Sequence, residues 1–369
     1  MAEVLISADS HVHEPPGLWV ERLPVRFSDQ APRRVPTGPM NDFYVFVDGA
    51  MTLVLRTEHV GEARDREDAA LASGTYDLAT RLAVQDEEGI AAEVLYPTMG
   101  QMVWSITDSA LLLACARVYN DWLVETFGSR PDRFVTPAMI PVLDVADGVA
   151  EIERCARNGM RAASLPMNPP AGRPYSDPAY EPIWAALAAN RMPVGLHVGT
   201  GYPPAGVALF DPENITLLGL LTGSEEFNAR ANIAHLLASG VFERHPELQV
   251  VMVETGIGWM GRMFDRFDTA VSGKSNVTHR FVSPLPELPS FYLRRQVHAT
   301  FMDDEVGILN RAVTGVEPLL WSADFPHVEG LYPECQTAVA RLTVDCSESE
   351  RAAIVRDNAA RLYGLEVVA

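Results

Sequence analysis

Short apolar runs recur along this chain, each followed by a stretch with helical periodicity, and that alternation constrains the fold more than any other feature. The runs are Val4–Ile6, Ala92–Tyr96, Phe134–Val142, Ala162–Met167, Pro193–Val198, Leu248–Glu254, Val297–Phe301 and Pro318–Asp324. Helices are expected over Asp77–Glu88, Asp108–Phe127, Ala146–Asn158, Pro178–Asn190, Asn228–Phe242, Trp259–Val271 and Glu305–Thr314. Eight such strands alternating with helices predict an α/β fold, a (β/α)8 TIM barrel rather than an open sheet. No repeat, low-complexity tract or linker interrupts the 369 residues, so a single domain over 1–369 is expected. The one irregular stretch is 15–73, rich in Pro and charge, within which Phe43–Leu55 reads as a hairpin turning at Asp48-Gly49. Insertions of that length in a compact enzyme are usually lids.

Bulk properties exclude several classes of function. A net charge of −20 argues against a nucleic-acid or anionic-membrane surface, which needs clustered Lys and Arg. No apolar run reaches membrane-spanning length. The four cysteines (Cys115, Cys155, Cys335, Cys346) are widely spaced without a Cys-x-x-Cys pair, which disfavours a disulfide framework or thiolate zinc site and fits the cytoplasm. A small-molecule substrate and a homodimer are the expected partners. Lys274 is the only lysine, so any mechanism that needs a lysine must use that residue.

In a barrel of this kind the chemistry sits at the C-terminal ends of the strands. The first strand runs into Asp9-Ser-His11-Val-His13, and alternate side chains share a face. The fifth ends in His197, the sixth in Glu254 and the eighth in Asp324. Each has an ordinary structural explanation alone: a core histidine, a strand-end cap, a turn starter before Phe-Pro. Together they offer imidazole and carboxylate ligands for one divalent ion, zinc or alternatively manganese.

The motifs Asp9-Ser-His-Val-His-Glu-Pro-Pro16, Gly195-Leu-His197, Gly240-Val-Phe-Glu-Arg-His-Pro-Glu-Leu248, Glu254-Thr-Gly-Ile-Gly-Trp259 and Ser322-Ala-Asp-Phe-Pro-His327 carry a resemblance over nearly the whole chain. It is to the metal-dependent amidohydrolase superfamily, in the branch that includes amino-carboxymuconate-semialdehyde and resorcylate decarboxylases. The resemblance implies a single metal held by the first-strand pair, His197 and Asp324. Family members use acid-x-His or His-x-His on the first strand, and this sequence offers Asp9-x-His11 and His11-x-His13. It also implies a strand-six histidine where this chain has Glu254. Binuclear relatives bridge their metals with a strand-four lysine; Arg161–Met167 contains none, so a mononuclear centre is expected.

The resemblance implies non-oxidative decarboxylation of an aromatic or conjugated acid, with Asp324 and Glu254 handling protons and His327 lining the pocket. Arg56, near His59 in the long first loop, would either hold the substrate carboxylate, as the resemblance implies, or be a solvated loop arginine. Hydrolysis of an amide, ester, lactone or C–C bond, with Asp324 as general base, is the alternative; a non-catalytic metal-binding scaffold is a third. Trp19, Trp259 and Trp321 either stack on the substrate or pack in the core. His235, His245 and His279 are assigned to structural or surface roles, and His298 is open.

Overall fold

The computed structural model describes residues 3–36, 43–47, 50–55, 76–202, 226–272, 285–327 and 329–366. Its strands are β1 (Leu5–Val12), β2 (Arg33–Pro36), β3 (Phe43–Val47), β4 (Ala50–Leu55), β5 (Ile90–Pro97), β6 (Phe134–Val135), β7 (Pro137–Met139), β8 (Ala162–Asn168), β9 (Val194–Gly201), β10 (Val250–Val253), β11 (Val297–Phe301) and β12 (Leu319–Trp321). After β1 comes the short helix α1 (Leu18–Arg22), and before β5 comes α2 (Leu78–Glu88). The helices α3 (Ser109–Phe127), α4 (Val145–Arg157), α5 (Glu181–Ala189), α6 (Glu226–Ala238), α7 (Val241–Arg244) and α8 (Met260–Val271) fall between later strands. Asp77, Asp108 and Asp144 cap α2, α3 and α4, each accepting first-turn backbone N–H groups that would otherwise lack a partner.

The parallel strands lie in the orders β1–β5–β6 and β7–β8–β9–β10–β11–β12. Two junctions connect these sheets. Only Thr136 separates β6, which pairs back to β5, from β7, which pairs forward to β8. Pro137 lacks the N–H needed to continue the first ladder, so the expected Phe134–Val142 strand is divided. Beyond β12 the chain meets β1: Asp324 N–H donates to the Asp9 carbonyl at 3.0 Å, and His11 N–H to that of Phe325 at 2.7 Å. This parallel α/β arrangement is consistent with a (β/α)8 barrel.

Two buried apolar layers follow from the strand alternation. Ile6, Ala8, Ala92, Val94, Tyr96, Val135, Ala162, Val251, Val253 and Leu320 form one, joined by Ala359, Tyr363 and Leu365 from the C-terminal region. Their sequence neighbours, among them Leu5, Leu95, Ala163, Leu196, Met252, Ala299 and Trp321, pack with the helices in the other. The first layer is the interior lining of the strands and the second the jacket around them.

Other departures from the sequence reading have local causes. The Leu248–Glu254 strand stops at Val253 because Glu254 takes φ 61°, outside the extended range. The expected Glu305–Thr314 helix divides at Asn310 into Glu305–Leu309 and Arg311–Thr314. The hairpin strands form, with Phe43 opposite Leu55 and Val47 opposite Ala50, and β2 adds a third antiparallel strand. The turn residues Asp48 and Gly49 lie outside the described residues.

Candidate metal centre

A β-bulge aims the first-strand ligands. Simple alternation from Ile6 and Ala8 would turn Asp9 and His11 outward with Leu5 and Ser7. Ser7 pairs with Glu93, but Ser10 pairs with Leu95 and His11 with Tyr96, so β1 carries one extra residue between Ser7 and Ser10. The insertion shifts the parity. His11 lies opposite the interior Tyr96, and Asp9 joins it on that side. On β9 no bulge is needed: His197 alternates with the jacket residues Val194 and Leu196 and lies opposite the interior Val253.

The two imidazoles face each other. His11 Nε2 and His197 Nε2 are 3.0 Å apart. His11 Nδ1 is 2.9 Å from the Pro97 carbonyl and His197 Nδ1 is 2.9 Å from that of Val198. A carbonyl only accepts, so each Nδ1 carries its proton; the neutral His11 ring turns an Nε2 lone pair inward, and His197 Nε2, protonated when no ion is bound, would offer its own once a cation displaced that proton. Asp9 Oδ1 lies 3.7 Å from both Nε2 atoms, is buried, and has no hydrogen-bond partner among the described residues. A triangle with sides of 3.0, 3.7 and 3.7 Å has a point about 2.0 Å from every corner, the bonding distance of histidine nitrogen or carboxylate oxygen to zinc. The donor set therefore fits a divalent cation.

Two carboxylates border this triangle. Glu254 Oε2 is 3.5 Å from His197 Nε2, and Asp324 Oδ1 is 3.4 Å from His11 Nε2. Asp9, His11, His197 and Glu254 offer ligand atoms all within 4.8 Å of one another, as do His11, Asp324 and His327. Glu254 and Asp324 both have left-handed backbone, φ 61° and 53°. That conformation costs a non-glycine residue about 1–3 kcal/mol and persists where surrounding structure enforces it, often at functional sites. At Glu254 the restraints are visible. Its N–H donates to Thr300 Oγ1 at 2.7 Å, and Asp304 accepts the next turn's Ile257 and Gly258 N–H groups at 2.7 Å each.

Several titratable groups here depart from their ordinary values. Burial, then the Asp324 charge, push Glu254 up to about 8. Burial pushes Asp324 up to about 6 against the pull of His327. Burial opposes protonation of His327, but Asp324, 3.2 Å away, outweighs it and raises the ring to about 10. In His197 burial is likewise outweighed, by Asp9 and Glu254, giving about 9. His11 is driven well below its ordinary value by burial and by the neighbouring His327 and His197 rings. A bound cation would oppose the rise of the carboxylates.

The structure thus brings together Asp9, His11, His197, Glu254, Asp324 and His327. His327 stacks on His11 with ring centroids 3.9 Å apart. His13 is buried but belongs to none of the donor clusters among the described residues. Arg56, His59, Lys274 and His279 lie outside the described residues. Trp19, Trp259 and Trp321 belong to the jacket, and Trp259 Nε1 donates to the carbonyls of Thr255 and Gly256, bracing the turn after Glu254. His235 bonds Ser176, His245 pairs with Glu181, and His298 bonds Gln249. Sequence reasoning missed Thr300 and Asp304. The available signal was their place at and just after the end of the seventh strand, where barrel chemistry collects.

Comparison with known proteins places these residues in context. The family described as Amidohydrolase matches residues 8–365. Gamma-resorcylate decarboxylase from Rhizobium sp. (strain MTP-10005) is 26% identical over 308 residues, covering 78% of this chain and 87% of that protein. Among solved structures, an amidohydrolase from Mycobacterium avium subsp. paratuberculosis K-10 superposes with a TM-score of 0.78 at 24% identity, covering 99% of this chain and 100% of that one. A dihydroxybenzoic acid decarboxylase from Polaromonas sp. JS666, solved with bound manganese and the inhibitor 2-nitroresorcinol, gives 0.65 at 19% identity, with 98% and 96% covered.

Proposed function

Since this chain belongs to the amidohydrolase family, we propose that it is a mononuclear metal-dependent carboxy-lyase that decarboxylates an aromatic or conjugated acid. The observation that carries the metal reading is the pair of inward Nε2 atoms 3.0 Å apart, completed by the unbonded Asp9 Oδ1. The curated relative's activity on a resorcylate supports the reaction class. Asp9, His11 and His197 would hold the ion, with Asp324 beside them. Manganese is favoured over zinc by the carboxylates bordering the triangle and by the ion in the Polaromonas decarboxylase. A bound cation supplies positive charge that draws electrons from the substrate carboxylate and its neighbouring oxygen.

The chain's own residues do the rest. Decarboxylation replaces a C–CO2⁻ bond with C–H, so the carbon must receive one proton as CO2 leaves. Glu254, whose carboxyl burial and the Asp324 charge raise to about 8 before an ion binds, is the donor in this reading. His327, paired with Asp324, holds positive charge against the buried site. We infer that residues 15–73 serve as the lid of a single domain; Arg56, proposed to hold the substrate carboxylate, lies outside the described residues. In support, Glu14 accepts the N–H groups of Met99 and Gly100 at 2.9 and 2.8 Å, tying the start of this insertion to the segment just beyond β5. The four cysteines are buried and none is in a disulfide among the described residues, which fits a reducing cytoplasm.

The test is a panel of hydroxybenzoates incubated in deuterated water with protein carrying about one manganese or zinc ion per chain. Expected are CO2 release and one deuterium on the carbon that lost it. Hydrolysis products carrying oxygen from labelled water, without CO2, would replace this reading.

A further inference from the structure

Helix α2 packs against the strands in an unusual way. Its buried residues Arg81, Gln85 and Glu88 are spaced as an amphipathic helix spaces its apolar stripe, yet all three are polar. Arg81 is fully buried. Its Nε donates to Glu93 Oε2 at 2.8 Å and its Nη2 to Glu93 Oε1 at 3.2 Å. Gln85 Nε2 donates to the same carboxylate at 2.8 Å. The remaining donors reach two backbone carbonyls: Nη1 to His11 at 2.6 Å, and Nη2 to Phe325 at 3.2 Å. The guanidinium also lies over the Phe325 ring, 4.8 Å from its centroid.

Those two carbonyls belong to adjoining segments of the donor cluster. His11 presents one imidazole, and Phe325 directly follows Asp324. The His11 N–H itself donates to the Phe325 carbonyl, so Arg81 closes a small ring of hydrogen bonds joining β1 to the segment after β12. Taking a charged pair out of water gains little over an apolar pair of similar size, so stability does not explain Arg81 and Glu93. What no apolar side chain can do is hold two carbonyls at a set separation. The planar guanidinium fork suits that task, and Glu93 fixes its orientation.

We infer that Arg81 is a positioning residue of the metal centre, clamping the His11 and Phe325 carbonyls so that His11 and Asp324 converge on one ion; this rests on the metal reading above. Arg81 touches none of the ligand side chains in this role and acts only through the backbone that carries them.

The experiment measures Mn2+ affinity by equilibrium dialysis, and the visible absorption of the Co2+-loaded protein, for wild type, Arg81→Lys and the double variant Arg81→Met/Glu93→Leu. The double variant removes the carboxylate that a single loss would strand. Lysine keeps the charge but brings one ammonium to a position where a fork spans two carbonyls and a carboxylate. Both variants are expected to bind Mn2+ at least about tenfold more weakly and to show an altered Co2+ spectrum, with metal-free melting near wild type. Either variant folded and binding Mn2+ with wild-type affinity overturns the role of Arg81. Loss of folding in the double variant leaves Arg81→Lys to decide, and a lysine variant that also fails to fold assigns Arg81 to stability instead. Wild-type protein that takes up no ion overturns the metal reading itself.

Discussion

In the proposed reaction, Asp9 and Glu254 are where single side chains decide the chemistry. Asp9 Oδ1 completes the triangle with the two imidazoles, while His13 stands outside the donor clusters. Asp9→Ala is therefore expected to lose most bound metal and His13→Ala to keep it, as elemental analysis of the purified variants will read. Metal lost only with His13→Ala would move the site one alternate residue along the strand. Glu254 is half-buried, and its carboxyl is raised to about 8. Glu254→Gln keeps its size but cannot give up a proton, so turnover should fall by ~10²–10⁴-fold, the range for a lost general acid, with metal content unchanged. Metal lost with activity would make Glu254 a ligand. The residue types were legible in the sequence because imidazoles and carboxylates at successive strand ends are a chemical pattern. Arg81 was not, because a buried arginine that binds only backbone and Glu93 looks like any helix arginine until the fold is known.

At the scale of elements, the strand–helix alternation was readable because apolar periodicity reports burial directly, and β11 begins and ends where the sequence placed it. The bulge in β1 was not readable. It depends on how Ser7–Ser10 pairs with Glu93–Leu95, a relation between strands that neither segment encodes alone. The hairpin strands β3 and β4 were foreseen and β2 was not, while the hairpin's turn residues lie outside the described residues. Gly195 shows the same dependence on a neighbour. It has an ordinary backbone, yet an added Cβ would collide with the Tyr96 hydroxyl from β5. Overfilling such a lining costs about 1–3 kcal/mol. Gly195→Ala should lower stability by that amount in urea titrations, and Tyr96→Phe should recover part of it in the double variant. Additive losses would mean the two residues do not meet.

For the whole molecule, acid stability should depend on His298, a buried ring on β11. Burial and then Arg361 lower it to about 4, so the folded protein keeps it neutral where the unfolded chain would protonate it near 6.5. Its contribution is complete above pH 6.5 and is lost progressively as pH falls toward 4, by about 3 kcal/mol at most. Denaturation of wild type and His298→Gln at pH 7 and pH 4.5 should show a smaller acid loss in the variant; equal losses would exclude His298 as the source. The meeting of β1 with the segment after β12 has a different consequence. Asp9 bonds Asp324 through the backbone, and Arg81 reaches both His11 and Phe325. On a ribosome, Asp9 and His11 emerge first and wait for nearly the whole chain before Asp324 can reach them. Contacts so distant in sequence form late, since loop closure must precede them. A chain cut before Asp324 therefore lacks part of the donor cluster, which makes full ion affinity a report that β1 and the segment after β12 have met.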